Sequence, residues 1–285
     1  MFQRLNSKGL LDISIGNNTI DEKELEVLYS KFETIYFLQP ITYSHESIRR
    51  NVTDLQALIS RLSAPNNRLV DGIMNHRELL DSLAEVQQRF TNVLSSGNAF
   101  LSLVESKLKS TYGEHSEETT SWNDFRRKQH KNNVSFRLMY ELRNYALHYG
   151  LPVSSLKVEM NDLSGDSPRN KVKVHLSKQK ILNSKYNWKG IRKDISSLED
   201  DTNLIELVVD YSNILKRIYL YLLEIFDSEL VECKVSLDQF YVKYAIPSEY
   251  TAQVLSGWND GDDLSNLNFE ILPSNELVWI LEQKA

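Results

Sequence analysis

The segment Phe136-Arg-Leu-Met-Tyr-Glu-Leu-Arg-Asn-Tyr-Ala-Leu-His-Tyr-Gly-Leu-Pro152 carries the side chains best suited to chemistry. Arg143 and His148 stand five positions apart, with Asn144 directly after the arginine. An imidazole changes charge near neutral pH and suits general acid–base work, worth roughly 10²–10⁴ in rate. A guanidinium is a fixed, permanently charged fork for phosphate oxygens. Asn144 can orient the imidazole or hold a phosphate oxygen. On a helix, residues four apart are offset by only ~40°. Asn144 and His148 then share a face, and Glu141 and Arg137 extend that polar stripe one and two turns back. Arg143 sits ~140° from His148. Its side chain must curl around the helix to meet the imidazole, or meet it from a second copy of the chain. An ordinary buried Arg–Asn–His hydrogen-bond network would use the same residues, and spacing alone does not choose between the two.

The string Arg143-Asn-Tyr-Ala-Leu-His148 resembles the R-x4-6-H signature of HEPN domains (higher eukaryotes and prokaryotes nucleotide-binding). These helical bundles are common among prokaryotic toxins and phage-defence effectors. The phrase through Gly150-Leu-Pro152 is similar to a motif of bacterial HEPN-like proteins. The family's extended toxin form carries a tyrosine two residues after the histidine; here that position is Gly150. The resemblance implies a metal-independent endoribonuclease without a cofactor, acting as a toxin or antiviral defence effector. It implies Arg143, His148 and Asn144 as catalytic residues, and a homodimer that pairs two motif helices around one groove. The RNA substrate would be held along Arg137, Glu141, Tyr145 and Tyr149, and by Arg126, Arg127, Lys128 and Lys131. The product would carry a 2′,3′-cyclic phosphate. An antitoxin or sensor would be a further partner. The alternative within the same resemblance is a non-catalytic module that binds RNA, a nucleotide or a protein.

Elements that position these residues follow from periodicity. Asp21 and Glu24 read as a capping-box start. Leu25, Leu28, Phe32 and Ile35 follow at helical spacing, and Pro40 is expected to end that helix. A second helix carries Ile48 to Leu62. A third stretch runs from about Leu69 to Leu108, with Gly97 as a bend or break. A fourth is expected from about Ser121 to Tyr149, closed by Gly150 in the left-handed conformation and by Pro152. The period then changes: Leu156, Val158 and Met160 alternate, as do Val172, Val174 and Leu176, which predicts a β-hairpin around a long loop at Asn161–Asn170. The stripe Leu204, Val208, Tyr211, Leu215, Ile218, Leu222 and Ile225 predicts a long helix, and Glu229–Tyr244 another. Beyond Pro247, the runs Phe269–Leu272 and Leu277–Leu281 predict a small two-stranded piece.

The expected fold is mainly α: a HEPN-like helical bundle with a β-hairpin insertion and a small C-terminal α/β or β appendage. Four segments result: residues 1–153 for the bundle with the motif helix, 154–182 for the hairpin and basic segment, 183–246 for long helices packing on the bundle, and 247–285 for the appendage.

Composition bounds the rest. The 285 residues are 41% hydrophobic and 25% charged, as in ordinary globular chains. One cysteine, Cys233, allows no internal disulfide. Met1-Phe-Gln-Arg-Leu-Asn lacks the apolar run of a signal peptide, and no stretch approaches the ~20 apolar residues of a membrane helix. A cytoplasmic protein without membrane contact is expected. Net charge is −6, yet from Arg169 to Lys193 nine charged residues are all basic, a local surface for a polyanion or simply a solvated face. His45, His76, His115, His130 and His175 show no metal-ligand spacing. Asn259-Asp-Gly-Asp-Asp263 lacks the sixth-position glycine of a calcium loop and reads as a surface turn. No phosphate-binding glycine loop, dinucleotide fingerprint or serine elbow occurs, so nucleotide hydrolysis, redox and serine-hydrolase chemistry find no support.

Overall fold

The computed structural model describes residues 2–5, 11–14, 20–64, 67–161, 169–256 and 268–284. It is mainly helical, with two small sheets. The chain divides into two units, Tyr43–Tyr221 and Met1–Thr42 with Leu222–Ala285. The first 42 residues therefore group with 222–285 and not with the motif-bearing segment.

The unit Tyr43–Tyr221 holds the motif. It takes the second half of α1 (Glu22–Leu62), then α2 (His76–Tyr112), α3 (Glu117–Asn132) and α4 (Val134–His148). Helix α2 starts with a capping box: Asn75 Oδ1 accepts from Glu78 N, and the Glu78 carboxylate accepts from Asn75 N, each at 3.0 Å. The box expected at Asp21 and Glu24 is replaced, because Glu24 Oε2 accepts from Lys243 Nζ at 2.6 Å and Tyr244 Oη at 3.0 Å. Pro40 does not end α1. The helix runs through it, and two residues on the Thr42 hydroxyl donates to Leu38 O at 3.0 Å. Phe90, Val93, Phe100, Val104 and Leu108 of α2 form the core with Trp122 of α3 and Phe136, Met139 and Leu142 of α4.

Gly97 neither bends nor splits α2, which is helical throughout. A Cβ there would meet Tyr211 Oη at 2.4 Å and Leu215 Cδ1 at 2.9 Å. Glycine is required by the close approach of α7 (Leu204–Ile225), whose Leu204, Val208, Tyr211, Leu215 and Ile218 are buried as the stripe predicts. The hairpin is also as expected. Strand β3 (Ser155–Asn161) pairs antiparallel with β4 (Arg169–Ser177), Leu156 opposite Val174 and Val158 opposite Val172. Val172, Val174 and Leu176 are buried. A third strand, β5 (Asp201–Asn203), adds to β4. The short α5 (Lys178–Leu182) and α6 (Arg192–Ser197) fill the connection. The centre of the hairpin loop, 162–168, lies outside the described residues.

The other unit carries a four-stranded sheet in the order β2 (Leu11–Ser14), β1 (Phe2–Leu5), β6 (Thr251–Ser256), β7 (Asn268–Ile271). Helix α8 (Asp227–Lys243) is as expected. The run Leu277–Leu281 is not a strand: it lies in helix α9 (Ser274–Glu282) and buries Leu277 and Ile280, residues three apart. The strand partner of Phe269–Ile271 is β6 instead. The acidic turn at Asn259–Asp263 lies outside the described residues.

Candidate functional site

The expected single helix from Ser121 to Tyr149 is interrupted. Asn133 adopts an extended conformation (φ −122°, ψ 113°) between α3 and α4. The break frees carbonyls in the last turn of α3, which need new donors. Asn133 Nδ2 donates to Gln129 O at 2.8 Å. Arg137 Nη1 donates to His130 O at 3.0 Å and Lys131 O at 2.5 Å, while its Nε donates to Asp194 of α6 at 2.8 Å. Arg137 thus closes the α3–α4 junction and ties it to α6, and is no free cation awaiting a strand of RNA.

The other end of α4 also departs from expectation. Gly150 is not left-handed; the positive-φ glycines among the described residues are Gly72 and Gly113. The helix ends when Tyr149 N and Gly150 N both donate to Tyr145 O, at 2.9 and 3.2 Å. Position 150 has no room for a Cβ without crowding Tyr145 Oη, 3.1 Å away. This turn leaves His148, Tyr149 and Leu151 exposed.

Along α4 two members of the expected polar stripe, Asn144 and Glu141, accept hydrogen bonds, and Arg137 and His148 take no part. Arg143 Nη1 donates to Asn144 Oδ1 at 3.0 Å. Asn144 also reaches the hydroxyl of Tyr186, which donates to Glu141 Oε2 at 2.6 Å. Burial, and then the Glu141 carboxylate, hold the Tyr186 hydroxyl well above the ordinary tyrosine range, so it stays a donor. Asn144 lies on the His148 face, so its amide turns the arginine toward that face.

The half-buried arginines differ in one respect. Arg89, Arg126 and Arg137 each pair with a carboxylate: Glu85 at 3.0 Å, Glu105 at 3.3 Å and Asp194 at 2.8 Å. Arg143 pairs with none among the described residues, and its Nε is buried without a partner. His148 is exposed, and its side chain makes no hydrogen bond or ion pair to a described residue.

The remaining predicted contacts divide. Tyr145 is buried, 5.1 Å from the Trp188 ring, and belongs to the core. Tyr149 is 58% exposed and lies edge-on to Tyr186 at 4.9 Å. Arg126 packs over the Trp122 ring and donates to Asn123 Oδ1. Arg127, Lys128 and Lys131 are exposed. Tyr186 and Trp188 were missed by the sequence reading; their signal was an aromatic pair inside the basic segment. In that segment Lys173 pairs with Glu159 at 2.6 Å and Lys178 with Asp200 at 2.9 Å, whereas Lys171, Lys180, Lys185, Arg192 and Lys193 stay exposed.

Among the described residues, no three His, Cys, Asp or Glu side chains are grouped to hold a metal ion, and no helix is long and apolar enough to cross a membrane. Comparison with models of known families, with curated proteins and with solved structures finds no match to this chain.

Proposed function

We propose that the chain is an endoribonuclease of the HEPN type, with Arg143 and His148 at its centre. The observation that carries this reading is Arg143: half-buried, without a carboxylate partner among the described residues, and turned by Asn144 onto the face of exposed His148. A permanently charged group without a counter-ion is suited to receive an anion. A neighbouring water-accessible imidazole is suited to move a proton.

In the proposed reaction the RNA 2′-oxygen loses its proton and attacks the adjacent phosphorus. The new P–O2′ bond forms as the P–O5′ bond breaks, and the departing O5′ takes up a proton. The products are a 2′,3′-cyclic phosphate and a 5′-hydroxyl. His148 transfers a proton, and Arg143 balances the charge that grows on the phosphoryl oxygens. Because the substrate supplies the nucleophile, no metal-bound hydroxide is needed. Asn144 fixes the arginine.

The reading includes a second copy of the chain. Leu147, Tyr149 and Leu151 surround His148 and are 48%, 58% and 69% exposed. Pairing two such helix ends would cover this apolar surface and set two Arg–His pairs along one groove. Exposed Lys128, Lys131 and the basic segment supply charge to hold a strand, whose binding should weaken steeply with salt. The role as a toxin or defence effector belongs to the same proposal.

The test in cells is induction of wild type, Arg143→Ala and His148→Ala in bacteria while growth and total RNA are followed. Growth arrest with fragmented RNA in the wild type alone supports the proposal. RNA that stays intact in cells making folded wild-type protein counts against it and favours a binding module.

A further inference from the structure

Helix α8 is apolar on two faces. Leu230, Cys233, Leu237 and Phe240 are buried, as one amphipathic face requires. Val231, Val235 and Val242 lie outside that face and are 53%, 48% and 82% exposed. With Asp238 among them they repeat at spacings of four, three and four, the seam of a coiled coil. Helix α9 runs antiparallel beside α8: Tyr241 Oη and Ser274 Oγ lie 3.1 Å apart at one end, and Lys284 pairs with Asp227 at the other. Between the two helices is a groove of about 600 Å³, walled by Leu237, Tyr241, Val242, Leu277, Val278 and Leu281. Val278, on the α9 side, is 55% exposed.

The charges of α8 decide what covers this face. Glu232 and Lys243 are taken by Lys31 and Glu24 of α1, at 2.8 and 2.6 Å. Lys234, which flanks the seam, and Asp238, which interrupts it, have only each other among the described residues, at 2.7 Å. Their side chains are 57% and 65% exposed, where a lone pair contributes little. An antiparallel copy of α8 laid along the seam puts Val231 opposite Val242 of the second copy, and Val235 opposite Asp238 of the second copy. In that register each Lys234 stands one position from the other copy's Asp238. The two pairs within the helices then become one network of four alternating charges. The seam is self-complementary about a twofold axis, in apolar contact and in charge, which is what an isologous contact requires.

We propose that α8 and α9 dock on a second copy of this chain, with the two α8 helices antiparallel and Val231, Val235 and Val242 of each buried between them. The 17 residues of α8 give a seam about 25 Å long. That is short for a permanent interface, so the pairing is reversible and in the micromolar range. The contact uses no residue of α4 and does not depend on the cleavage reading. Where the ends of α4 pair as well, each chain carries two twofold contacts, and copies join into tetramers or longer assemblies.

The test is sedimentation of the full chain over a range of concentrations, for wild type, Lys234→Asp, Asp238→Lys and an equimolar mixture of the two variants. The wild type is expected to show an association step with a Kd of about 10 μM. Each variant alone sets four like charges around the axis and should weaken that step at least about tenfold. Both positions are at the surface, so both variants should fold. The mixture sets two cations of one copy against two anions of the other and should recover the wild-type step, a result that contact between copies through α8 explains and a loss of folding does not. A wild type without the step, single variants that associate as the wild type does, or a mixture no tighter than either variant overturns the proposal. Cleavage is read on Arg143 and His148 variants, so the failure of one reading is not the failure of the other.

Discussion

Arg143 donates to the side-chain oxygen of Asn144 at 3.0 Å, a bond between consecutive residues that directs the guanidinium around the helix. Consecutive side chains on a helix do not face each other. Only the length of the arginine allows the bond, and its result is a cation turned toward the face of His148. Nearby, the Tyr186 hydroxyl donates to Glu141 Oε2 at 2.6 Å.

Asn144 is therefore expected to act on activity more than on stability. Asn144→Ala should lower RNA cleavage by at least about tenfold through a mispositioned arginine, with a small change in melting temperature. Asn144→Asp should do more damage, since a carboxylate there gives Arg143 the counter-ion it lacks and competes with phosphate. Cleavage rate and thermal unfolding, measured side by side, check both. Equal activity in Asp and wild type would remove the anion-receptor role of Arg143.

Arg137 is expected to behave in the opposite way. It satisfies two carbonyls of α3 at the surface and the partly shielded Asp194 carboxylate. Arg137→Ala should cost roughly 1–3 kcal/mol in urea unfolding, the range for hydrogen bonds to a charged group. Asp194→Asn should cost less, because the carbonyl bonds remain. If Arg137→Ala instead left stability intact and abolished RNA binding, the capping role assigned to it would be wrong.

The contrast between these two arginines shows how far sequence reaches. Periodicity located α4, the hairpin, α7 and α8, because apolar spacing is a local property. It also placed Arg143, Asn144 and His148 on one element. What it missed depends on neighbours distant in sequence. Pro40 ends a helix in isolation, but here α1 continues through it. Gly97 reads as a bend or break and instead marks the contact with Tyr211. Asn133 breaks the expected helix at the end of the polar run Arg126–Asn133, and Arg137 then becomes a cap. Leu277–Leu281 is too short for periodicity to separate strand from helix. Strands β1 and β6 are far apart in sequence, and their pairing follows no local signal. Tyr186, the donor to Glu141, is 45 residues from it.

Gly97 gives a packing test. Gly97→Ala places a methyl 2.4 Å from Tyr211 Oη, so the Tyr211 and Leu215 side chains must shift or α2 and α7 must move apart. A loss of about 1–3 kcal/mol is expected, the usual cost of overpacking. Adding Tyr211→Phe should recover only part of it, because Tyr211 Cε1 and Leu215 Cδ1 remain within 2.9 Å. Full recovery in the double variant, by chemical denaturation, would show that the hydroxyl alone sets the contact.

His45 contributes to the acid sensitivity of stability in the same unit. Its ring is buried, stacks on Tyr219 at 4.3 Å and has no partner at Nδ1. Burial pushes its pKa down to about 4 from an ordinary 6.5. Between these values the unfolded chain binds the extra proton and the folded chain does not, so stability rises with pH. The contribution is complete above about pH 6.5 and is lost as pH falls toward 4, roughly 3 kcal/mol in all. His45→Gln should flatten this limb in unfolding measured from pH 7 to 4. An unchanged slope would place the sensitivity elsewhere.

The central claim is that Arg143 and His148 cut RNA, and the direct measurement uses purified chain and a single labelled RNA in the presence of a chelator. The account predicts cleavage by the wild type, a 2′,3′-cyclic phosphate at the new 3′ end, and a loss of at least about a hundredfold in both Arg143→Ala and His148→Ala. Cleavage that the chelator abolishes, or that survives both substitutions, would contradict it.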